Sequence, residues 1–286
     1  MADAPLLIVD DLHVRFNTPK GIVHAVRGVS FELGREKLGI VGESGSGKSQ
    51  TGRAILGLLA ARGHARARRV EFDGVDLLRA DERTLRAIRG DRISMIMQDP
   101  KYSLNPVITV GKQIEEAYLV HTKASRKEAR ERTLEMLEAV RIRNPRHVFH
   151  AYPHEVSGGM GQRIMIAMMM IPQPDIIIAD EPTSALDVTV QLQVLAILDD
   201  MVTENGMGLI FISHDLSLVA SFCDRVLIMY AGQIMEVCDA GDLQHARHPY
   251  TRGLLSCLPE VGDSAAALPV LERDPAWAEY QGVSSD

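Results

Sequence analysis

The stretch Gly42-Glu43-Ser44-Gly45-Ser46-Gly47-Lys48-Ser49 fits the pattern G-x-x-x-x-G-K-[ST] without a mismatch. The apolar run from Lys37 to Val41 precedes it and predicts a buried strand. Gln50 to Ala61 follows and predicts a helix, with Ile55, Leu56, Leu58 and Leu59 on its apolar side. Strand, glycine loop and helix form the context in which this pattern cradles phosphate. Glycines let the backbone curl so that successive N–H groups converge on an anion, and the helix N-terminus adds partial positive charge. Lys48 is then placed to reach the β- and γ-phosphates, and the Ser49 hydroxyl to ligate Mg²⁺. The stretch therefore predicts a nucleoside triphosphate site.

The bulk numbers narrow the class. The chain has 286 residues, 46% hydrophobic and 24% charged, which describes an ordinary globular protein of one large domain or two small ones. Net charge is −7, which disfavours general nucleic-acid binding. Cys223, Cys238 and Cys257 are widely spaced with no C-x-x-C, which argues against a disulfide framework or a zinc site and suits a reducing compartment. Met1 to Pro5 carries no basic region leading into an apolar core, so no signal peptide is expected. The longest apolar run, Ile164 to Ile171, falls well short of the roughly 20 residues of a membrane span. A membrane link is therefore expected only through partners.

Outside the loop, Leu6 to Phe16 and Val23 to Leu33 predict strands. By spacing alone, Phe16 reads as a core aromatic rather than a stacking face. The run Ala61 to Arg69 is basic and predicts a solvated loop, with a phosphate-binding patch as the weaker alternative. Val70 to Phe72 predicts a strand, Glu82 to Arg89 a charged helix, and Arg92 to Gln98 a strand ending in glutamine. Thr109 to His121 and Ser125 to Val140 predict helices, and the rhythm between about residues 100 and 155 predicts an inserted helical subdomain.

Ser157-Gly158-Gly159 opens a helix predicted to run to Ile171, a second potential phosphate site. Asp175 to Glu181 predicts an apolar strand ending in two carboxylates. In phosphate-loop proteins the first, Asp180, helps to hold Mg²⁺, and Glu181 is placed to orient or deprotonate water. Asp187 starts a helix running to Glu204, as an N-cap or as a contact across an interface. Gly208 to Ser213 predicts a buried strand ending at His214, where ligands collect in α/β sheets. A hairpin over residues 225–237, a helix from Thr251 to Leu258 and a loosely ordered tail complete the expectation.

Taken in order, phosphate loop, glutamine, S-G-G, double acid, S-A-L-D and histidine resemble an ATP-binding cassette (ABC) transporter ATPase over about residues 6–258. GESGSGKSQT, MIMQDPKYSLNP, YPHEVSGGM, IIIADEPTSALDVTVQ and HPYTRGLL are similar to the bacterial oligopeptide, dipeptide and nickel importer branch. The signature here reads V-S-G-G-M where the superfamily form is L-S-G-G-Q, and Gly161 stands where many relatives have a basic residue.

The resemblance implies an α/β fold: a P-loop NTPase (RecA-like) core with an antiparallel β subdomain and an inserted helical subdomain. It implies an ATPase domain over residues 1–245, with the insertion at about 100–165, and a family tail over 246–286. It also assigns roles. Phe16 becomes the adenine-stacking aromatic, and residues Gly42, Glu43, Ser44, Gly45, Ser46, Gly47, Lys48, Ser49 and Gln50 hold the nucleotide. Ser49, Gln98 and Asp180 serve the metal; Glu181, His214, Lys48 and Gln98 serve catalysis. Ser157, Gly158, Gly159 and Asp187 contact nucleotide across a cassette dimer.

ATP and Mg²⁺ are the implied cofactors. No iron–sulfur cluster is expected, since only Cys257 lies in the tail. The implied partners are two transmembrane permease subunits, a second and non-identical ATPase, and a periplasmic or extracellular solute-binding protein, with no nucleic acid. The implied location is the cytoplasmic face of the inner membrane, held peripherally. Tyr102 and Leu104 are expected to face a membrane subunit. The rival reading is a soluble cassette ATPase acting on nucleic acid or ribosomes.

Overall fold

The computed structural model describes residues 4–184, 186–257 and 274–279. They fall into two compact units: the described residues of 4–80 and 210–279, and those of 81–209.

The first unit opens with β1 (Leu7–Thr18) and β2 (Gly21–Leu33), paired antiparallel. Along β1, Leu7, Val9, Leu12 and Val14 are buried, while the intervening residues are more exposed. That is the two-residue period of a half-buried antiparallel strand, broken once between Val9 and Leu12 by a bulge at Asp11, whose φ is +54°. Next come β3 (Lys37–Val41), α1 (Lys48–Ile55), β4 (Gly63–Arg66), β5 (Arg69–Phe72) and β6 (Val75–Asp76). The antiparallel layer has the order β2-β1-β5-β6, with β4 also pairing β1.

Two expectations need correction here. The helix after the glycine loop ends at Ile55, not Ala61. Gly57 takes φ +64°, and the N–H of Leu58 donates back to the Arg53 carbonyl, closing the helix as glycine C-caps do. The basic run is also not a free loop. Residues 63–66 form a strand, because the distal half of β1 offers an unpaired edge that β4 fills from His13↔Arg66 to Phe16↔Gly63.

The second unit begins with α2 (Glu82–Ile88), β7 (Ile93–Ile96) and α3 (Pro100–Ser103). Helices α4 (Val110–His121), α5 (Arg126–Ala139), α6 (Pro145–Val148) and α7 (Gly158–Met170) follow, then β8 (Ile176–Asp180) and α8 (Val188–Glu204). Ser125 caps α5 by accepting the Glu128 N–H at 3.2 Å. Strands β7 and β8 pair in parallel and are buried along their whole length. Burial on both faces explains why they read as continuous apolar runs.

The division between units falls within β9 (Gly208–Ser213). The first unit then resumes with α9 (Leu216–Phe222), β10 (Arg225–Tyr230), β11 (Gln233–Asp239), α10 (Pro249–Ser256) and α11 (Ala276–Glu279). Its second layer has the strand order β11-β10-β3-β9, with β10 parallel to β3 and antiparallel to β11.

Much of the sequence-predicted tail lies outside the described residues. The part described, 274–279, places Trp277 edge-on to Tyr250 at 5.8 Å and to Tyr230 at 6.2 Å. No helix among the described residues is long and apolar enough to cross a membrane.

Candidate functional site

The site residues divide between the two units. In the first, the glycine loop joins β3 to α1. Gly47 sits at φ +105° as the N-cap of α1, and a Cβ there would lie 2.4 Å from the Ala25 carbonyl oxygen. Neither condition admits another residue without strain. The β10–β11 turn fastens the loop: the Gly232 N–H donates to the Ser46 carbonyl at 2.9 Å, and the Arg27 N–H donates to the Gly232 carbonyl at 2.7 Å.

Lys48 is only 4% exposed, and its ammonium donates to the Gly42 carbonyl at 2.7 Å and the Glu43 carbonyl at 2.8 Å. The loop thus supplies the lysine with two carbonyl oxygens. Among the described residues, the Ser46 hydroxyl is buried without a hydrogen-bond partner, and the position a Cβ would take on Gly45 meets no atom within 4 Å. A buried hydroxyl lacking a partner beside an open backbone curve fits a triphosphate.

Ser49 and Gln50 follow in the first turn of α1, half-buried. Phe16, also half-buried, reaches Gly63: a Cβ on that glycine would lie 2.7 Å from the Phe16 ring. His214 is exposed just beyond β9, and Asp215 after it caps α9 by accepting the Leu218 N–H at 3.0 Å.

In the second unit, Asp180 ends β8 and is 2% exposed. Glu181 follows with φ +49°, an uncommon left-handed conformation for a non-glycine residue and one that clusters at functional sites. The side-chain amide of Gln98 donates to Glu181 Oε2 at 3.2 Å and to Ser184 Oγ at 3.1 Å. The Ser184 hydroxyl in turn donates to the Glu181 carbonyl at 3.2 Å. The structure therefore brings Gln98 and Glu181 together although 83 positions separate them in sequence.

Ser157 caps α7 by accepting the Met160 N–H at 3.3 Å. Gly158 is open to its surroundings, whereas a Cβ on Gly159 would lie 2.6 Å from a Val190 methyl. Asp187 is an N-cap, accepting the Val190 N–H at 3.0 Å.

Three residues escaped the sequence reading. Ser184 joins the Gln98–Glu181 pair. Gln162 is buried, its amide nitrogen lacking a partner among the described residues, and it lines a cleft of about 530 Å³ with Gln98, Pro100, Leu104, Ser157 and Gly158. Tyr250 is fully buried, and its hydroxyl accepts the Glu43 N–H of the glycine loop at 3.4 Å. The H-P-Y run was legible, but its reach to residue 43 was not. Of the two residues expected to face a membrane subunit, Tyr102 is 90% exposed, whereas Leu104 is only 5% exposed, at the wall of the cleft that Gln162 lines.

The sequence matches the ABC transporter family over residues 26–184. It is 48% identical to the oligopeptide transport ATP-binding protein OppD of Escherichia coli K12, over 96% of this chain and 81% of that protein. It is 47% identical to the dipeptide transport ATP-binding protein DppD of Bacillus subtilis, over 94% of this chain and 82% of that protein. Among solved structures, it is similar to the ATP-binding cassette MJ0796 in a dimeric post-hydrolysis state bound to ADP and phosphate. That likeness has a TM-score of 0.72 and 25% identity, over 82% of this chain and 98% of that one.

Proposed function

Because the chain belongs to the ABC transporter family of ATP-binding subunits, we propose that it hydrolyses ATP to power bacterial import of peptides or a related small solute. The observation that carries this reading is the glycine loop with its buried Lys48 and a Ser46 hydroxyl partnerless among the described residues. Near-half identity over almost the whole chain to oligopeptide and dipeptide transport subunits supports the cargo class. Those relatives are transport subunits, so the reading as a soluble cassette on nucleic acid or ribosomes is set aside.

The proposed roles follow from the residues. Residues 42–50 bind the phosphates, with Lys48 supplying charge at the β/γ bridge, and Phe16 stacks on adenine. Ser49, and likewise Asp180 and Gln98, would serve as ligands or ligand-positioning groups for magnesium, which would neutralise phosphate charge. Glu181 accepts a proton from the attacking water, and the Gln98 amide orients that carboxylate. His214 contacts the γ-phosphate. Ser157, Gly158, Gly159 and Asp187 serve a second cassette whose nucleotide they cap, so two subunits close on two nucleotides.

The cleft beside Gln98, with exposed Tyr102 and Val107 nearby in sequence, is the surface proposed to meet a transmembrane subunit. The chain is thereby held peripherally at the cytoplasmic face of the membrane. Its partners are two permease subunits, a second and non-identical ATPase, and a solute-binding protein acting through the complex. The test is reconstitution with permease partners in vesicles. ATP-dependent uptake of a labelled peptide supports the reading; co-sedimentation with ribosomes and not with membranes overturns it.

A further inference from the structure

The basic run that formed β4 gains a new setting from the sheet. Arg15 on β1 is directly paired with His24 on β2 and with His64 on β4. Two residues earlier, His13 is paired with Arg66 on β4. Cross-strand partners, and residues two apart on one strand, share a face. His13, Arg15, His24, His64 and Arg66 consequently line one hollow of about 300 Å³, with Ala65 at its wall.

Arg15 and Arg66 are both cationic, and gathering like charge on one face costs stability. The clustering cannot be put down to a basic protein, because the net charge is −7. The Asp11 carboxylate offsets the clustered charge in part. Asp11 holds His13 Nε2 at 2.9 Å, and Asn17 meets His64 Nε2 at 3.3 Å. Arg27, the other cross-strand partner of His13, turns its side chain to the Ala231 carbonyl. Asp10 is engaged by Arg68 at 3.2 Å. Arg15 and Arg66 are exposed and fork-shaped, suited to bidentate contact with phosphate oxygens. Imidazoles supply an N–H donor in either protonation state.

We propose that this hollow is an anion site for a phosphate-class ligand, separate from the nucleotide site. Arg15 and Phe16 are adjacent on β1 and so lie on opposite faces of the strand; a ligand on Arg15 does not compete for the face of Phe16. A concave hollow of this size suits one or two phosphoryl groups.

The test uses the full chain saturated with ADP and Mg²⁺, so that the glycine loop is filled, and titrates it with pyrophosphate. Imidazole ring protons are followed by NMR, with His13, His24 and His64 assigned by single His→Gln variants. The expected result is saturable shifts at these three rings. The double variant Arg15→Gln/Arg66→Gln should weaken pyrophosphate binding at least about tenfold, the range for losing charge-assisted hydrogen bonds. Its ADP affinity and melting temperature should be unchanged or, for melting, raised. A second arm asks whether vesicles containing phosphatidic acid retain the protein when plain phosphatidylcholine vesicles do not. Retention together with saturable shifts supports the site and makes headgroups a source of the ligand. Absence of saturation by about 10 mM, equal binding by the double variant, or retention on vesicles without any pyrophosphate response overturns it.

Discussion

The Gln98 side-chain amide lies 3.2 Å from Glu181 Oε2, joining the residue that follows β7 by two positions to the residue just past the end of β8. Those two strands run parallel with Ile96 opposite Ala179, so their C-terminal ends deliver both side chains to one place. Glu181→Gln is expected to keep ATP binding and slow hydrolysis by at least about 10²-fold, the low end of general-base effects. Gln98→Ala is expected to lower turnover while leaving ATP affinity close to normal. Single-turnover hydrolysis and equilibrium nucleotide binding check both; a Glu181→Gln variant that hydrolyses normally removes the role.

Lys48 is buried and bonded to two loop carbonyls. Lys48→Ala should abolish ATPase activity in the assembled complex, because no other group on the loop carries positive charge to the β/γ bridge. Steady-state phosphate release measures it, and near-normal turnover would refute the assignment.

Gly47→Ala places a methyl 2.4 Å from the Ala25 carbonyl oxygen at a φ of +105°. Strain of this kind costs on the order of 1–3 kcal/mol. Urea unfolding should show a lower midpoint at unchanged slope, with nucleotide binding lost. An unchanged midpoint would mean that the loop accommodates the methyl by moving.

Tyr102 and Leu104 should part company. Tyr102→Glu changes an exposed side chain, so stability should stay within about 0.5 kcal/mol while ATP hydrolysis uncouples from uptake. Leu104→Ala empties a buried position and should cost about 2–5 kcal/mol. Thermal melts and transport assays on both variants separate docking from packing. Wild-type transport by Tyr102→Glu would place the coupling surface elsewhere.

Burial lowers the pKa of His248 below its ordinary value of 6.5, against the opposite pull of Glu236. The folded state therefore prefers the neutral ring, whose Nδ1 accepts the Tyr250 N–H at 3.1 Å. Between the folded value and 6.5 the unfolded chain binds more protons, so this contribution to stability is lost as pH falls through that window. Trp277, the single tryptophan, lies 6.2 Å from the His248 ring and reports it. Its emission should change on acidification below 6.5 and cease to do so in His248→Gln. Identical titrations of the two proteins would show that the ring stays neutral throughout.

The sequence by itself determined the local chemistry. The glycine loop, the apolar strands β3, β7, β8 and β9, and the helix starts at Ser157 and Asp187 were all readable, because each depends on residues within a few positions of one another. The order of the motifs along the chain carries the family resemblance by itself. Helix ends and edges were less legible: Gly57 stopped α1 early, and the fate of residues 63–66 depended on whether a strand edge was available to pair. Only the tertiary structure decided that Gln98 and Ser184 attend Glu181, that Leu104 is buried while Tyr102 is not, that Tyr250 meets the glycine loop, and that five basic side chains share one face. The reason is that periodicity records which side of its own element a residue occupies. The group it meets there is set by strand pairing and packing between segments far apart in the chain.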